Sequence, residues 1–384
     1  MTAALSAERR AALRGAKLGA LVAGTWGPAD RTTHALGTAV ALAGPGPVAW
    51  VLADEAPERT LGPALAWADR EHVEELHVIV GGSGDAAATV ARQAGLFAPP
   101  APQVWAITGR TVDPAVPEPP PRQPDAQAPP ELVDLLIDAG LEIVAEGGVV
   151  RGEVNGLEVA RIVRGTTSAG VQIAEPRLEV GVGKADRELT AMVHGELAPV
   201  EQLSRVVDIV RAHRRPGAPR HPLNQLVPER WLRAVLCRNP GIAGPSGRGS
   251  GDHVPSSRGS GDHVPSGRGR GKHVPTGRGS GDDVLASLRP AAGVRPRANL
   301  TERDIAIAAG ATRDGAAVVV ACSVGIALDL VPMAADAREA IDPSARLLLA
   351  LPERDDHPGT RRLAARLRSP AEVVPVPGDW RGAG

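Results

Sequence analysis

Three unbroken apolar runs in the first hundred residues, at 48–53, 76–80 and 104–108, constrain the fold more than any other feature. A half-solvated strand alternates polar and apolar positions, so a continuous run predicts a strand buried on both faces. Between them, residues 61–75 place Leu61, Ala64, Leu65, Ala68, His72 and Val73 at helical spacing, and residues 86–96 offer a second helix. Strand, helix, strand at intervals of about 26 to 30 residues is the length of a βα unit with a parallel crossover. The pattern returns near the other end: strands at 318–321, 347–351 and 373–376, and helices at 334–341 and 360–367. The expected class is therefore α/β, with Rossmann-like parallel three-layer units at both ends. Periodicity leaves open whether the two units share one sheet.

Two stretches break the pattern. Residues 112–130 carry Pro114, Pro117, Pro119, Pro120, Pro121, Pro124, Pro129 and Pro130, which favour an extended, semi-rigid spacer. Residues 244–297 contain a tandem repeat, Gly-Arg-Gly-Ser-Gly-Asp-His-Val-Pro-Ser, with a period of about ten. Lacking apolar mass, it is expected to be a disordered linker. The units this defines are 1–111, a middle region 131–243 and a C-terminal unit 298–384. Charge is balanced, with 43 Lys and Arg against 44 Asp and Glu, so any basic surface must be local. One Phe and no Tyr leave few rings on which single-stranded bases could stack. Cys237 and Cys322 have no metal-ligand spacing and fit reduced thiols of a cytoplasmic protein. No run is long enough to span a membrane, and none has the form of a secretion signal.

The middle region carries the candidate chemistry. Residues 131–139 predict a helix ended by Gly140, followed by extended runs at 141–145, 149–163 and 177–182 and a helix at 200–213. Asn155-Gly156 marks a hairpin inside the second run. Leu178, Val180 and Val182 would face a core, leaving Glu179, Gly181 and Gly183 on the other side. This α-β-β-β-α order, with acids on adjacent strands, resembles the core of the PD-(D/E)XK nuclease superfamily over residues 131–213. The resemblance implies that Glu158, or Glu153 as its alternative, and Glu179 hold Mg²⁺ beside a lysine, for phosphodiester hydrolysis in nucleic acid. The family's lysine stands two residues after the acid, where this chain has Gly181, and Lys184 follows three residues later. On a regular strand Lys184 faces away, and a bulge at Gly181 or Gly183 would turn it back. Carboxylates on the outward face of an edge sheet are the plain alternative.

Two further features are candidates. Arg211, Arg214 and Arg215 close the 200–213 helix and could contact a nucleic-acid backbone, although cations there also suit the helix dipole. Gly81, Gly82 and Gly84 follow a strand and open a helix, where backbone amides can cradle a nucleotide phosphate, although a tight crossover turn needs the same residues. A Rossmann-like domain beside such a nuclease resembles CRISPR-associated Rossmann-fold effectors in architecture. The rival expectation is a non-catalytic α/β scaffold that binds a nucleotide or a protein.

Overall fold

The computed structural model describes residues 7–28, 30–167, 170, 172–193, 199–242, 285–295, 297 and 299–383, so the repeat array lies outside the described residues. The fold is α/β, in three sheets.

The first unit runs α1 (Ala7–Trp26), β1 (Thr32–Leu36), β2 (Ala39–Ala43), β3 (Val48–Ala53), α2 (Leu61–Arg70), β4 (Glu75–Val80), α3 (Gly84–Ala94), β5 (Gln103–Thr108) and β6 (Thr111–Pro114). Its strands lie in the order β1-β2-β3-β4-β5-β6. Only β3–β4 and β4–β5 are parallel; the remaining pairs are antiparallel. The apolar run of β3 is divided by its period of two between two cores. Ala49, Val51 and Ala53 face the layer of α2 and α3, whereas Trp50 and Leu52 pack under α1 against Leu18 and Val22.

The middle unit contains α4 (Pro130–Asp138), β7 (Glu142–Glu146), β8 (Val149–Val154), β9 (Leu157–Thr166), β10 (Gln172–Val180), α5 (Gly183–Val193) and α6 (Pro199–His213). Its sheet is an antiparallel meander in the order β10-β9-β8-β7. The β8–β9 turn has positive φ at Asn155 (47°) and Gly156 (75°), the mirror-image turn that Asn-Gly favours. Leu136, Leu203, Val207 and Val210 cover one face of this sheet.

The last unit begins earlier than the residue 298 boundary expected from sequence. α7 (Pro228–Arg238) inserts Trp231, Leu232, Val235 and Leu236 into the C-terminal core, so it belongs with that core rather than with the middle sheet's. β11 (Leu285–Ala291) lies within the stretch taken as linker, because Leu285 and Leu288 are buried in the same core. β12 (Ala306–Thr312), β13 (Ala317–Cys322), α8 (Leu330–Ile341), β14 (Arg346–Pro352), α9 (Pro358–Ala365) and β15 (Glu372–Val376) complete it. The strand order β11-β12-β13-β14-β15 has parallel pairs only at β13–β14 and β14–β15.

The two end units thus repeat one plan: a helix, an antiparallel pair leading into the third strand, then two parallel crossovers. They keep separate sheets and pack through a shared layer of α2, α3, α8 and α9. Phe97, just after α3, forms an antiparallel bridge with Leu367, just after α9. The Ala98 N–H donates to Arg366 O and the Arg368 N–H to Leu96 O, both at 2.8 Å. Equivalent residues meeting in this way mark an internal pseudo-twofold axis.

Candidate functional site

A bulge sets which side chains of the middle sheet leave its core. Opposite β8, the register of β9 slips between Gly152 and Glu153, so Val159 is the extra residue. Leu157 before the slip and Ala160 and Ile162 after it stay in the core. Glu158 and Arg161 are consequently on the same, opposite face. Arg151 and Glu153 of β8 and Glu179 of β10 join them through their pairing with Arg161, Glu158 and Arg161.

On this face, each acid expected to hold a metal accepts from arginine. Glu158 is bound by Arg187 Nη1 at 3.0 Å and Arg151 Nε at 2.8 Å. Glu179 is bound by Arg161 Nε at 3.1 Å, with Arg187 Nε at 3.7 Å. The two acids do converge on one cationic point, and the group at that point is the Arg187 guanidinium. Burial pulls the Arg187 pKa down, against the opposing pull of Glu158. Glu153 is the most buried of the three and lies between Arg230 Nη1 (3.0 Å) and Arg233 Nη2 (2.8 Å) of α7. Burial alone would raise its pKa; Arg233 and Arg230 outweigh burial and hold it below the ordinary value. Among the described residues, no group of three or more His, Cys, Asp or Glu side chains is placed to hold a metal ion.

Lys184 is helical rather than extended. β10 stops at Val180, and the chain turns at Gly181 (φ 138°) and Gly183 (φ 80°) into α5, whose first turn contains Lys184. A Cβ on Gly181 would stand 2.8 Å from the Arg187 amide nitrogen, so glycine is required where strand and helix cross. The Asp186 carboxylate accepts from the Val182 N–H at 2.6 Å and closes the turn. Lys184, 71% exposed, reaches the rim of a cleft whose wall includes Glu158 and Arg187.

That cleft, of 640 Å³, lies between the middle sheet and the segment joining β11 to β12. Arg151, Arg161, Lys184 and Arg187 line one side; Arg230, Arg295 and Arg297 line the other; Glu146 and Glu158 are the acids among them. Glu229 holds Arg297 and Glu58 holds Arg295, at 2.5 Å, from outside the cleft wall. Carboxylates set behind guanidinium groups fix their planes, and Arg297 Nη1 donates in addition to Glu302 O at 2.8 Å.

The other candidate residues are used within the fold. Arg211 Nη2 donates to Ala139 O (3.0 Å) and Gly140 O (2.8 Å), capping α4. Arg214 is fully buried, donating to the carbonyls of Asn155, Leu223, Leu226 and Val227, with its guanidinium 4.7 Å from the Trp231 ring centroid. Burial pushes its pKa down to about 9. A phosphate backbone cannot reach it, which corrects the expectation from sequence. Arg215 is exposed and donates to Ala212 O. At the β4–α3 turn, the Asp54 carboxylate occupies the space over Gly81, 1.9 Å from where a Cβ would be, and Lys17 holds it at 2.8 Å. An anion approaching Gly81 would therefore meet a carboxylate first, whereas the space over Gly82 and Gly84 is open.

Sequence reasoning missed the arginines. Arg151, Arg161 and Arg187 stand within three residues of an acid along β8, β9 and α5, a local signal that was present. Arg230, Arg295 and Arg297 are distant in sequence and reach the cleft only through the packing of the C-terminal unit. No protein family matches the chain, and neither a curated protein nor a solved structure resembles it at a significant level.

Proposed function

We propose that the chain is a binding protein for a small phosphate-bearing ligand, held in the arginine cleft and not turned over there. The observation that carries this is the lining: seven cationic side chains against two acidic ones around a volume suited to a nucleotide-sized molecule. Pre-oriented guanidinium groups in a partly enclosed site favour phosphate over a hydrated monovalent anion. This is the scaffold expectation with its site moved from the glycine turn to the middle sheet. Titration calorimetry with pyrophosphate and nucleoside monophosphates tests it. Binding should weaken with added salt, and Lys184→Glu should lower affinity about tenfold with little change in melting temperature, since its pair with Glu188 lies on the surface. Absence of heat with every phosphorylated compound at millimolar concentration would refute the proposal.

A second reading, Mg²⁺-dependent phosphodiester hydrolysis, is favoured by the convergence of Glu158 and Glu179 on Arg187. In it those two acids would hold the ion, which would polarise a phosphate once bound. The guanidinium groups already on both acids fit that ion poorly, and Glu153 is enclosed by Arg230 and Arg233. Cleavage of plasmid in Mg²⁺ that vanishes in Glu179→Ala would select this reading over the first.

A further inference from the structure

A small recess adjoins the cleft and shares Glu146, Arg230, Gly293, Arg295 and Arg297 with it. Its volume is 30 Å³, room for a single water, hydroxyl or amino group. Gln93 of α3, 2% exposed, lines it, and the Gln93 Oε1 atom is buried without a partner. The orientation of this amide is fixed: Nε2 donates to Asp336 Oδ2 at 3.4 Å, and reversing the group would set two acceptors against each other. Asp336 is itself held by Arg92, through Nε at 2.7 Å and Nη2 at 2.9 Å. An acceptor is thus left buried at the recess, at a cost that a ligand's donor would remove.

The internal repeat shows that packing does not demand these polar residues. The shift in numbering that carries Phe97 onto Leu367 carries Gln93 onto Leu363, and it carries Asp336 back onto Ala66. The α2–α9 contact is the sister of the α3–α8 contact, and it forms with Leu363 fully buried and Ala66 against the apolar core. At these two positions one half of the molecule places hydrocarbon, with the Asp69–Arg366 ion pair further along the junction. The other keeps a buried amide and carboxylate at the same two positions.

Resting on the phosphate-site reading, we propose that the ligand carries a neutral hydrogen-bond donor at the end remote from its phosphate, an amino or hydroxyl group that Gln93 Oε1 accepts. An amino-bearing nucleotide and a sugar phosphate both have this chemistry. Lys184, on the opposite side of the cleft from the recess, meets the anionic part, and Gln93 selects among phosphorylated compounds.

The test is calorimetry on the full chain with pyrophosphate, adenosine monophosphate, purine riboside monophosphate (which lacks the amine) and glucose 6-phosphate. A preference of about tenfold for adenosine monophosphate over its amine-free analogue, or for the sugar phosphate over that analogue, is expected and identifies the source of the donor. Gln93→Leu, the residue at the sister position, should bring the preferred compound down to the analogue's affinity. Equal binding of all three organic phosphates overturns the inference while leaving the phosphate site standing, the recess then holding a water only. An unchanged preference in Gln93→Leu also overturns it. Failure of pyrophosphate and all three others to bind overturns the parent reading and this inference together. Should Gln93→Leu not fold, the wild-type preference alone still decides.

Discussion

Replacing Glu153 with Met is expected to destabilise the protein more than any exposed substitution on the same sheet. The magnitude follows from its partners. Glu153 binds two guanidinium groups of α7, but they do not lose equally: Arg230 keeps Glu146, at 2.6 Å, whereas among the described residues Arg233 bonds to Glu153 alone, through Nη2, and its Nε is buried without a partner. With Arg233 1% exposed, the variant leaves one buried cation uncompensated. Breaking such a pair from one side costs about 3–5 kcal/mol, and the surviving contact of Arg230 places this case near 3. The loss should appear in the urea midpoint followed by tryptophan fluorescence, since Trp231 lies on the same helix, and in faster amide exchange in β8 and α7. The double variant Glu153→Met, Arg233→Met replaces the pair by apolar groups of similar volume and should recover most of the loss. Two results would refute the reasoning: a single variant costing less than about 1 kcal/mol, or a double variant no more stable than the single. The first would mean that water reaches Arg233. The second would mean that the cost is one of shape rather than charge.

Two further perturbations test other parts of the structure. His77 is 3% exposed among Trp26, Trp50 and Trp105, with Trp105 Nε1 donating to its Nδ1 at 3.1 Å and Glu75 3.2 Å from Nε2, while Arg31 lies over Trp50. Burial holds its pKa below the ordinary value despite Glu75, so the unfolded chain takes up this proton first. Stability is therefore complete above the unfolded pKa of about 6.5 and falls below it by about 1.4 kcal/mol per pH unit until the folded group titrates. His77→Phe should remove that share of the difference between urea midpoints at pH 7.5 and 5.5, and an identical difference in variant and wild type would sink the assignment. At Gly156, an added Cβ would lie 2.3 Å from the Arg230 carbonyl, in a turn with φ of 75°; Gly156→Ala should cost about 2–3 kcal/mol by urea denaturation, and a neutral effect would contradict the contact between the hairpin tip and α7.

What was legible in the sequence follows from what each element buries. The strands β3, β4, β13 and β14 were plain because both faces are covered and their apolar runs are unbroken. Several of the elements that sequence reasoning missed bury less, or bury charge, although β2 and β12 are apolar and buried and were missed as well. β1 is half-exposed and polar, and β11 buries only Leu285 and Leu288. α7 was hidden because Arg230, Arg233 and Arg238 give it the composition of a solvated helix, although the first two are buried. Helical spacing also carried α2 too far: it ends at Arg70, and His72, expected on its apolar face, has φ of 57° in the turn that follows.

The site was legible only as a set of acids, because acids on neighbouring strands are the same sequence signal whether metal or arginine balances them. The distinction depends on residues that a pattern over seventy positions does not contain. Arg230 and Arg233 arrive on a helix whose apolar face belongs to another core, and Arg295 and Arg297 on a loop after the repeat array. The bulge at Val159 adds a second obstacle, since strict alternation from Glu158 would have sent Arg161 into the core. Once the slip is counted, Arg151 and Arg161 are directly opposed, with Glu158 bound to Arg151 and Glu179 bound to Arg161. On the proposed phosphate-site reading, a ligand competes for donors at the rim of this face rather than at its centre, which favours the exposed Lys184 as the group that meets it first.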